Sequence, residues 1–271
     1  MNILKRYNHL PILALLFSLF IFTACSTESD QGMGTMKVSL TDAPVNFDQV
    51  NIEILQVLVN RDESADDTTD SGWYSVMDDS LFVNLLDYQN GAVLDLGEVE
   101  LEAGQYNQIR LLLGENNNVV IDGETHVLTT PSAQQSGYKI NINAEVQEGE
   151  TYELTIDFDA SQSIVVTGNN NYILKPVLRA ISPQLQGSIA GTVLPLEAEP
   201  FVYAIAGEDT VGTQADEEGN FKIVGLEDGT YNVWFNPSNE AYADSLVEGI
   251  EIEDAEDFEF EEAIELEGSG S

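Results

Sequence analysis

The 271-residue chain carries 48 acidic residues against 9 basic ones, a formal net charge of −39. Nucleic acid is gripped by clusters of Lys and Arg, and the few cations here are scattered, so nucleic acid is excluded as a partner. A chain this anionic also repels anionic lipid head groups. The first element is MNILKRYNHLPILALLFSLFIFTAC, in which Lys5 and Arg6 precede an apolar run from Leu10 to Ala24 broken only by Pro11, Ser18 and Thr23. That order is the pattern of a signal peptide. The run is shorter than the roughly 20 apolar residues of a spanning helix and ends at small residues rather than at a basic flank. Residues 1–24 are therefore expected to be cleaved.

The segment Phe22, Thr23, Ala24 and Cys25 resembles a bacterial lipobox, in which a small residue precedes the cysteine that becomes the lipidated first residue of the mature protein. An unpaired thiol in a secreted protein is a reactive group unless chemistry consumes it, and lipidation of Cys25 would consume it. The resemblance implies a diacylglyceryl group plus an amide-linked chain, and two or more acyl chains make a stable membrane anchor. Ser26 resembles an outer-membrane sorting signal, and Glu28 and Asp30 resemble the surface-export signals of Bacteroidota lipoproteins. The expected location is the outer membrane, facing either the surface or the periplasm. Residues 25–33 read as a flexible tether reaching about 15–18 Å by random-coil scaling. Without Lys5 and Arg6 the remainder has 7 basic residues against 48 acidic ones, a formal net charge of −41. Solubility accounts for such a charge, and recruitment of calcium or of a cationic partner is the alternative.

Short alternating runs follow, the mark of half-buried strands. FDQVNIEILQVLVN reads as one long strand because of its Val and Ile content. Ile140, Ile142, Ala144 and Val146 alternate with polar residues. In TYELTIDFDA, Tyr152, Leu154, Ile156 and Phe158 point one way and Glu153, Thr155, Asp157 and Asp159 the other. Tyr231, Val233 and Phe235 alternate with Asn232 and Trp234. Turns fall at Asn and Gly clusters such as GENNNVVIDGE. The chain is all-β, of sandwich type. LEAGQYN at 101–107 and LEDGTYN at 226–232 repeat one pattern, with VQEGETYELT a looser relative. It resembles a tyrosine corner, in which Tyr106 and Tyr231 would bond nearby backbone at a sandwich edge.

KVSLTDAP, AGQYNQIRLLLG, PSAQQSGYKI and YELTIDFDASQSIVVTGNNNYILKPVLR resemble the bacterial lipoprotein domain of unknown function 4382, which spans about residues 34–182 and brings no established active-site residues. Pro183 and Gly187 mark a boundary. Beyond it GSIAGTV and TQADEEGNFKIVGLEDGTYNVWF, with Gly191, Asp216, Gly219, Phe221, Ile223, Leu226, Gly229, Tyr231 and Val233, resemble a carboxypeptidase regulatory-like, or transthyretin-like, domain over residues 186–266. The resemblance implies a second sandwich, of seven strands, but no ligand, because function lies in a site rather than a scaffold. Residues 267–271 read as a flexible tail.

With His9 lost to the signal, His126 is the remaining histidine, and no Gly-x-Ser-x-Gly elbow accompanies it. A zinc or thiol site is not expected. Asp157 and Asp159, on one strand face, read as a solvated outer face, with sharing an ion or flanking a sugar the alternative. DEEGN at 216–220 carries oxygen ligands without EF-hand spacing and reads as an acidic turn, with calcium the alternative. Trp73, Tyr74 and Trp234 are candidates for a sugar platform or for core. The sequence thus predicts two tandem β-sandwiches behind a lipid on Cys25, acting as a non-catalytic binding or spacer module toward a glycan or a surface protein. A carboxylate-dependent glycan hydrolase and a purely mechanical spacer are the rivals.

Overall fold

The alternating runs become strands because period-2 side chains place one row in a core and the other outside. The computed structural model describes residues 32–61, 72–130, 137–168, 171–182, 186–207 and 209–270. The signal segment, Cys25, most of the tether and Pro183 lie outside the described residues. The first sandwich holds β1 (Met33–Asp42), β2 (Gln49–Asn60), β3 (Trp73–Met77), β4 (Leu81–Asn84), β5 (Leu94–Glu102), β6 (Gly104–Leu113), β7 (Asn118–Ile121), β8 (Glu124–Thr129), β9 (Tyr138–Val146), β10 (Thr151–Phe158), β11 (Ile164–Val166), β12 (Tyr172–Leu174) and β13 (Leu178–Ile181), with one helical turn, α1 (Ala160–Ser163), after β10. The second holds β14 (Gly187–Leu194), β15 (Pro200–Ala206), β16 (Asp209–Gln214), β17 (Asn220–Leu226), β18 (Gly229–Pro237), β19 (Ser245–Ile252), β20 (Asp257–Glu259) and β21 (Ile264–Glu265).

In the first sandwich a sheet of order β13-β10-β1-β5 faces a larger sheet of order β11-β12-β8-β7-β2-β6-β9, with β3 and β4 also on β2. The long strand expected over FDQVNIEILQVLVN is β2, whose buried Val50, Ile52, Ile54, Val57 and Val59 meet Met36, Val38, Leu40, Ile156 and Phe158 of the other sheet in one core. The second sandwich sets β17-β14-β20, with β21 on β14, against β16-β15-β18-β19. Its separate core is built on Ile189, Val202, Phe221, Val233, Phe235 and Ile250. There Phe221 meets Phe235 edge-on, ring centroids 5.6 Å apart, an arrangement that sets the positive edge of one ring on the negative face of the other. The described residues nevertheless form one compact unit.

Both tyrosine corners are present. The Tyr106 hydroxyl donates to the Glu102 carbonyl at 3.1 Å, and the Tyr231 hydroxyl donates to the Glu227 carbonyl at 2.9 Å. Each ring is buried in its own core while its oxygen reaches four residues back to close the turn. Arg61 supports the first corner: its guanidinium lies 5.1 Å from the Tyr106 ring centroid and donates to the same Glu102 carbonyl at 2.8 Å.

Two expected boundaries shift. β1 begins at Met33, inside the span assigned to the tether, because Met33 pairs with Glu102 across β5. The tail is not free at its start. The Ala243 N–H donates to the Glu267 carbonyl at 2.8 Å and the Ser269 N–H to the Ala241 carbonyl at 2.9 Å, and two paired backbone groups are enough to hold a segment that composition alone marks as flexible. Tyr231→Phe is expected to cost about 1 kcal/mol, the net worth of one hydrogen bond. Tyr106→Phe should cost less, since Arg61 still satisfies the Glu102 carbonyl. Urea titration of the two variants measures both the losses and their order.

Candidate functional site

Asp157 and Asp159 are not the pair of solvated carboxylates that alternation predicts. β10 alternates as expected, but the outer face of its C-terminal half is covered, so Asp157 is only 6% exposed. The register aligns Thr41 with Asp157 and Asp157 with Arg179 across β1, β10 and β13, which puts these three side chains in a row. Arg179 Nε donates to Asp157 Oδ2 at 2.5 Å. The same guanidinium continues to the second sandwich, where it donates to the Gly225 carbonyl at 3.3 Å and to the Val224 carbonyl at 3.5 Å. Asp159 lies beyond the end of β10 and caps α1: its Oδ1 accepts from the Gln162 N–H at 2.9 Å and from Ser161 Oγ at 2.6 Å, and its Oδ2 from Gln162 Nε2. One carboxylate is thus a rivet and the other a helix cap.

Around the rivet the two sandwiches meet closely. Gly225, at φ +75°, packs against Ile181, whose Cδ1 would lie 2.6 Å from any added Cβ, so the position needs glycine for both its backbone and its contact. Asn90 donates to the Asn220 carbonyl at 3.0 Å and accepts from the Lys222 N–H at 2.5 Å, extending the first sandwich's hydrogen bonds onto β17. A small pocket of about 20 Å³ lies between Thr41, Asp42, Asp157, Arg179 and Thr213, room for one water molecule. Asp42, 5% exposed, accepts from Gln89 Nε2 and from the Ala160 N–H, each at 3.0 Å. Burial pushes its carboxyl well above the usual carboxylate range, with neighbouring Asp157 and Asp159 adding to the rise. Burial also raises Asp157, against the pull of Arg179. Beside this seam opens a cleft of about 530 Å³ bordered by both sandwiches, with Asp159, Arg179, Gln186, Asp209, Gly212 and Asp228 on its walls.

The aromatic candidates separate. Trp73 lies under Arg110, whose guanidinium carbon is 4.0 Å from a ring centroid, and Tyr74 meets Tyr106 edge-on at 6.1 Å, so both serve the first sandwich. Trp234 is on the second, where it stacks on Tyr203 with centroids 5.5 Å apart and an interplanar angle of 28°. Phe201 stacks on Tyr203 in turn, at 6.4 Å and 25°. Phe201 and Tyr203 were not singled out in the sequence; the signal that could have found them is their period-2 spacing in PFVYAIA, out of phase with the buried Val202 and Ala204. Trp234 Nε1 donates to Asp244 Oδ2 at 3.0 Å, which fixes the indole.

His126, on β8, packs against the Tyr172 ring at 4.7 Å and sits in the larger sheet, not with Asp157. In DEEGN, Asp216 Oδ1 accepts from the Glu218 N–H at 3.0 Å and the Asn220 N–H at 2.8 Å, so it closes a turn. Among the described residues no group of three or more His, Cys, Asp or Glu side chains converges as a metal site.

The chain belongs to the family described as a domain of unknown function (DUF4382), whose profile matches residues 33–176. No curated protein matches it. Among solved structures it is similar to the Bacillus anthracis TIE protein, at 12% identity and a TM-score of 0.24 over 88% of this chain and 34% of that one. It is also similar to a variant of the shaft pilin SpaA of Lactobacillus rhamnosus GG, at 9% identity and a TM-score of 0.24 over 88% and 99% of the two chains. A third is GBS52, the minor pilin of Streptococcus agalactiae, at 10% and 0.24 over 87% and 97%. The chain spans about a third of the first of these and nearly all of the other two.

Arg179→Ala should destabilise the fold by about 2 kcal/mol at neutral pH, because it strands a buried carboxylate. The loss should shrink in acid, where Asp157 takes up a proton, and Asp157→Asn in the same chain should recover part of it. Urea midpoints at pH 4 and pH 8 test this. A carboxyl raised by folding binds its proton more tightly in the native state, so its contribution is present in acid and lost as pH rises through the native value. Asp42→Asn should accordingly flatten the fall in stability from pH 4 to pH 8 and raise the midpoint at the upper end.

Proposed function

We propose that this chain is a non-catalytic binding module of the cell envelope, tethered at the outer membrane by a lipid on Cys25 and presenting two sandwiches as one rigid body. The observation that carries the reading is the fate of Asp157. The carboxylate that a glycan hydrolase would need is buried, paired with Arg179 and used to fasten one sandwich to the other. Asp159 is spent on a helix N-terminus, and His126 belongs to a different sheet. A general acid or base must reach the proton it moves, and the Asp157 and Asp159 carboxylates are already engaged by Arg179 and by the α1 N-terminus. The strongly anionic surface keeps the module soluble and away from anionic head groups, leaving the lipid as its membrane contact and the outer sheet faces for a partner.

Two measurements test the proposal. In cells producing the full chain, Cys25→Ser is expected to abolish radiolabelled palmitate incorporation and shift the protein from the membrane to the soluble fraction; labelling that persists would remove the anchor. Incubation with polysaccharides should release no reducing ends, and release that is lost in Asp157→Asn would replace the binding reading with the hydrolase.

A further inference from the structure

The outer face of the sheet β16-β15-β18-β19 carries an apolar row that neither core uses. Phe201 and Tyr203 project from β15 on the side opposite Val202 and Ala204, and Trp234 projects from β18 directly across from Tyr203. Leu246 of β19, paired with Trp234, ends the row and is 52% exposed. The three rings are half-buried and tilt alike, with interplanar angles of 25° and 28°, so they shingle along the sheet. Gly212 makes this possible: a Cβ there would lie 2.7 Å from Tyr203 Cδ1, so the phenol ring rests against bare backbone. Gly212 also lines the cleft between the sandwiches. The row and the cleft therefore adjoin at Gly212, and burial raises the Tyr203 phenol, with the charge of Asp159 adding to the rise.

We infer that this row and the adjoining cleft form a binding site for an uncharged glycan. The inference rests on the binding-module reading and names its ligand. The chemistry selects the ligand class by elimination. No Lys or Arg lies in the row, Arg179 on the cleft wall is paired with Asp157, and Asp159, Asp209 and Asp228 there repel an anionic ligand, so acidic polysaccharides and phosphates are disfavoured. The C–H groups of a sugar ring carry slight positive charge and suit the negative face of an aromatic ring. Sugar hydroxyls suit the carboxylates and Gln186 of the cleft, whose volume of about 530 Å³ is of ligand size. A stable protein interface buries about 800 Å² on each partner around a broad apolar centre; three half-buried rings that run along β15 from Phe201 to Tyr203 and then across to Trp234, bordered by Asn232 and Asn236, make a patch too small for that and suit a few sugar rings.

Affinity electrophoresis of the detergent-solubilised full chain through gels of neutral glucan, mannan, xylan or galactan, with anionic alginate alongside, tests the inference. At least one neutral polysaccharide is expected to retard the protein, and about 0.5 M salt should leave the retardation intact because stacking is not screened. Trp234→Ala should weaken binding about tenfold, the loss of one stacking contact. Leu246→Glu, at an exposed position where folding is not in question, should do the same, whereas Phe82→Ala on the first sandwich should change nothing. Retardation by alginate alone, retardation of Trp234→Ala and Leu246→Glu equal to that of the unaltered chain, or none in any neutral gel overturns the glycan site. Intact palmitate labelling with no glycan binding would leave the tethered module standing without this ligand. Glycan binding without labelling would do the reverse.

Discussion

The arrangement of the two sandwiches depends on one ion pair, in which a buried Asp157 meets a half-buried Arg179. Arg179 and Asp157 are register partners in the first sandwich, and the guanidinium spends its remaining donors on the carbonyls of Val224 and Gly225 in the second. A planar cation with several fixed donors can satisfy a carboxylate and two carbonyls at once. That is what an interface between two sheets requires, since β17 brings the backbone carbonyls of Val224 and Gly225 to the seam. Burying Asp157 opposes its ionisation, and Asp42 nearby is opposed more strongly. The seam is therefore held by geometry and hydrogen bonding more than by net Coulombic gain. Asn90 on one side and Lys222 on the other add a second, neutral link.

Within each sandwich the same solution to one problem occurs twice. A strand that turns back at the edge leaves a carbonyl without a ladder partner, and the phenol of Tyr106 or Tyr231 supplies the missing donor while its ring fills the core. The repeated Leu-Glu-x-Gly-x-Tyr-Asn is the sequence form of that solution: leucine for the core, glycine for the turn, tyrosine for the bond. Its recurrence in two unrelated cores points to the mechanics of sandwich edges and not to a shared ligand.

The division of labour over the surface follows from charge. A formal net charge of −39 over the whole chain leaves few cations, and those that are placed serve structure. Arg61 braces a tyrosine corner, Arg110 covers Trp73, and Arg179 joins the sandwiches. What remains outward is largely carboxylate and amide, with scattered apolar residues such as Phe82 and Val127 and, on one sheet of the second sandwich, a cluster of half-buried rings.

The sequence by itself determined the all-β class, the long strand over FDQVNIEILQVLVN, the tyrosine corners and family membership, because these rest on local periodicity and on motifs whose residues are near one another in the chain. It also flagged Trp234, though not its neighbours, since Phe201 and Tyr203 become a row with it only when β15 pairs with β18. Only the tertiary structure decided the role of Asp157. Alternation assigns a residue to a face of its strand, but whether that face meets water depends on what folds over it, and here the cover comes from residues about seventy positions later. A lone arginine in YILKPVLRAI, in a chain so poor in cations, was the available hint. Its partners could not be read until the second sandwich was in place, because the energy of a buried charge is set by its three-dimensional surroundings and not by its neighbours in sequence.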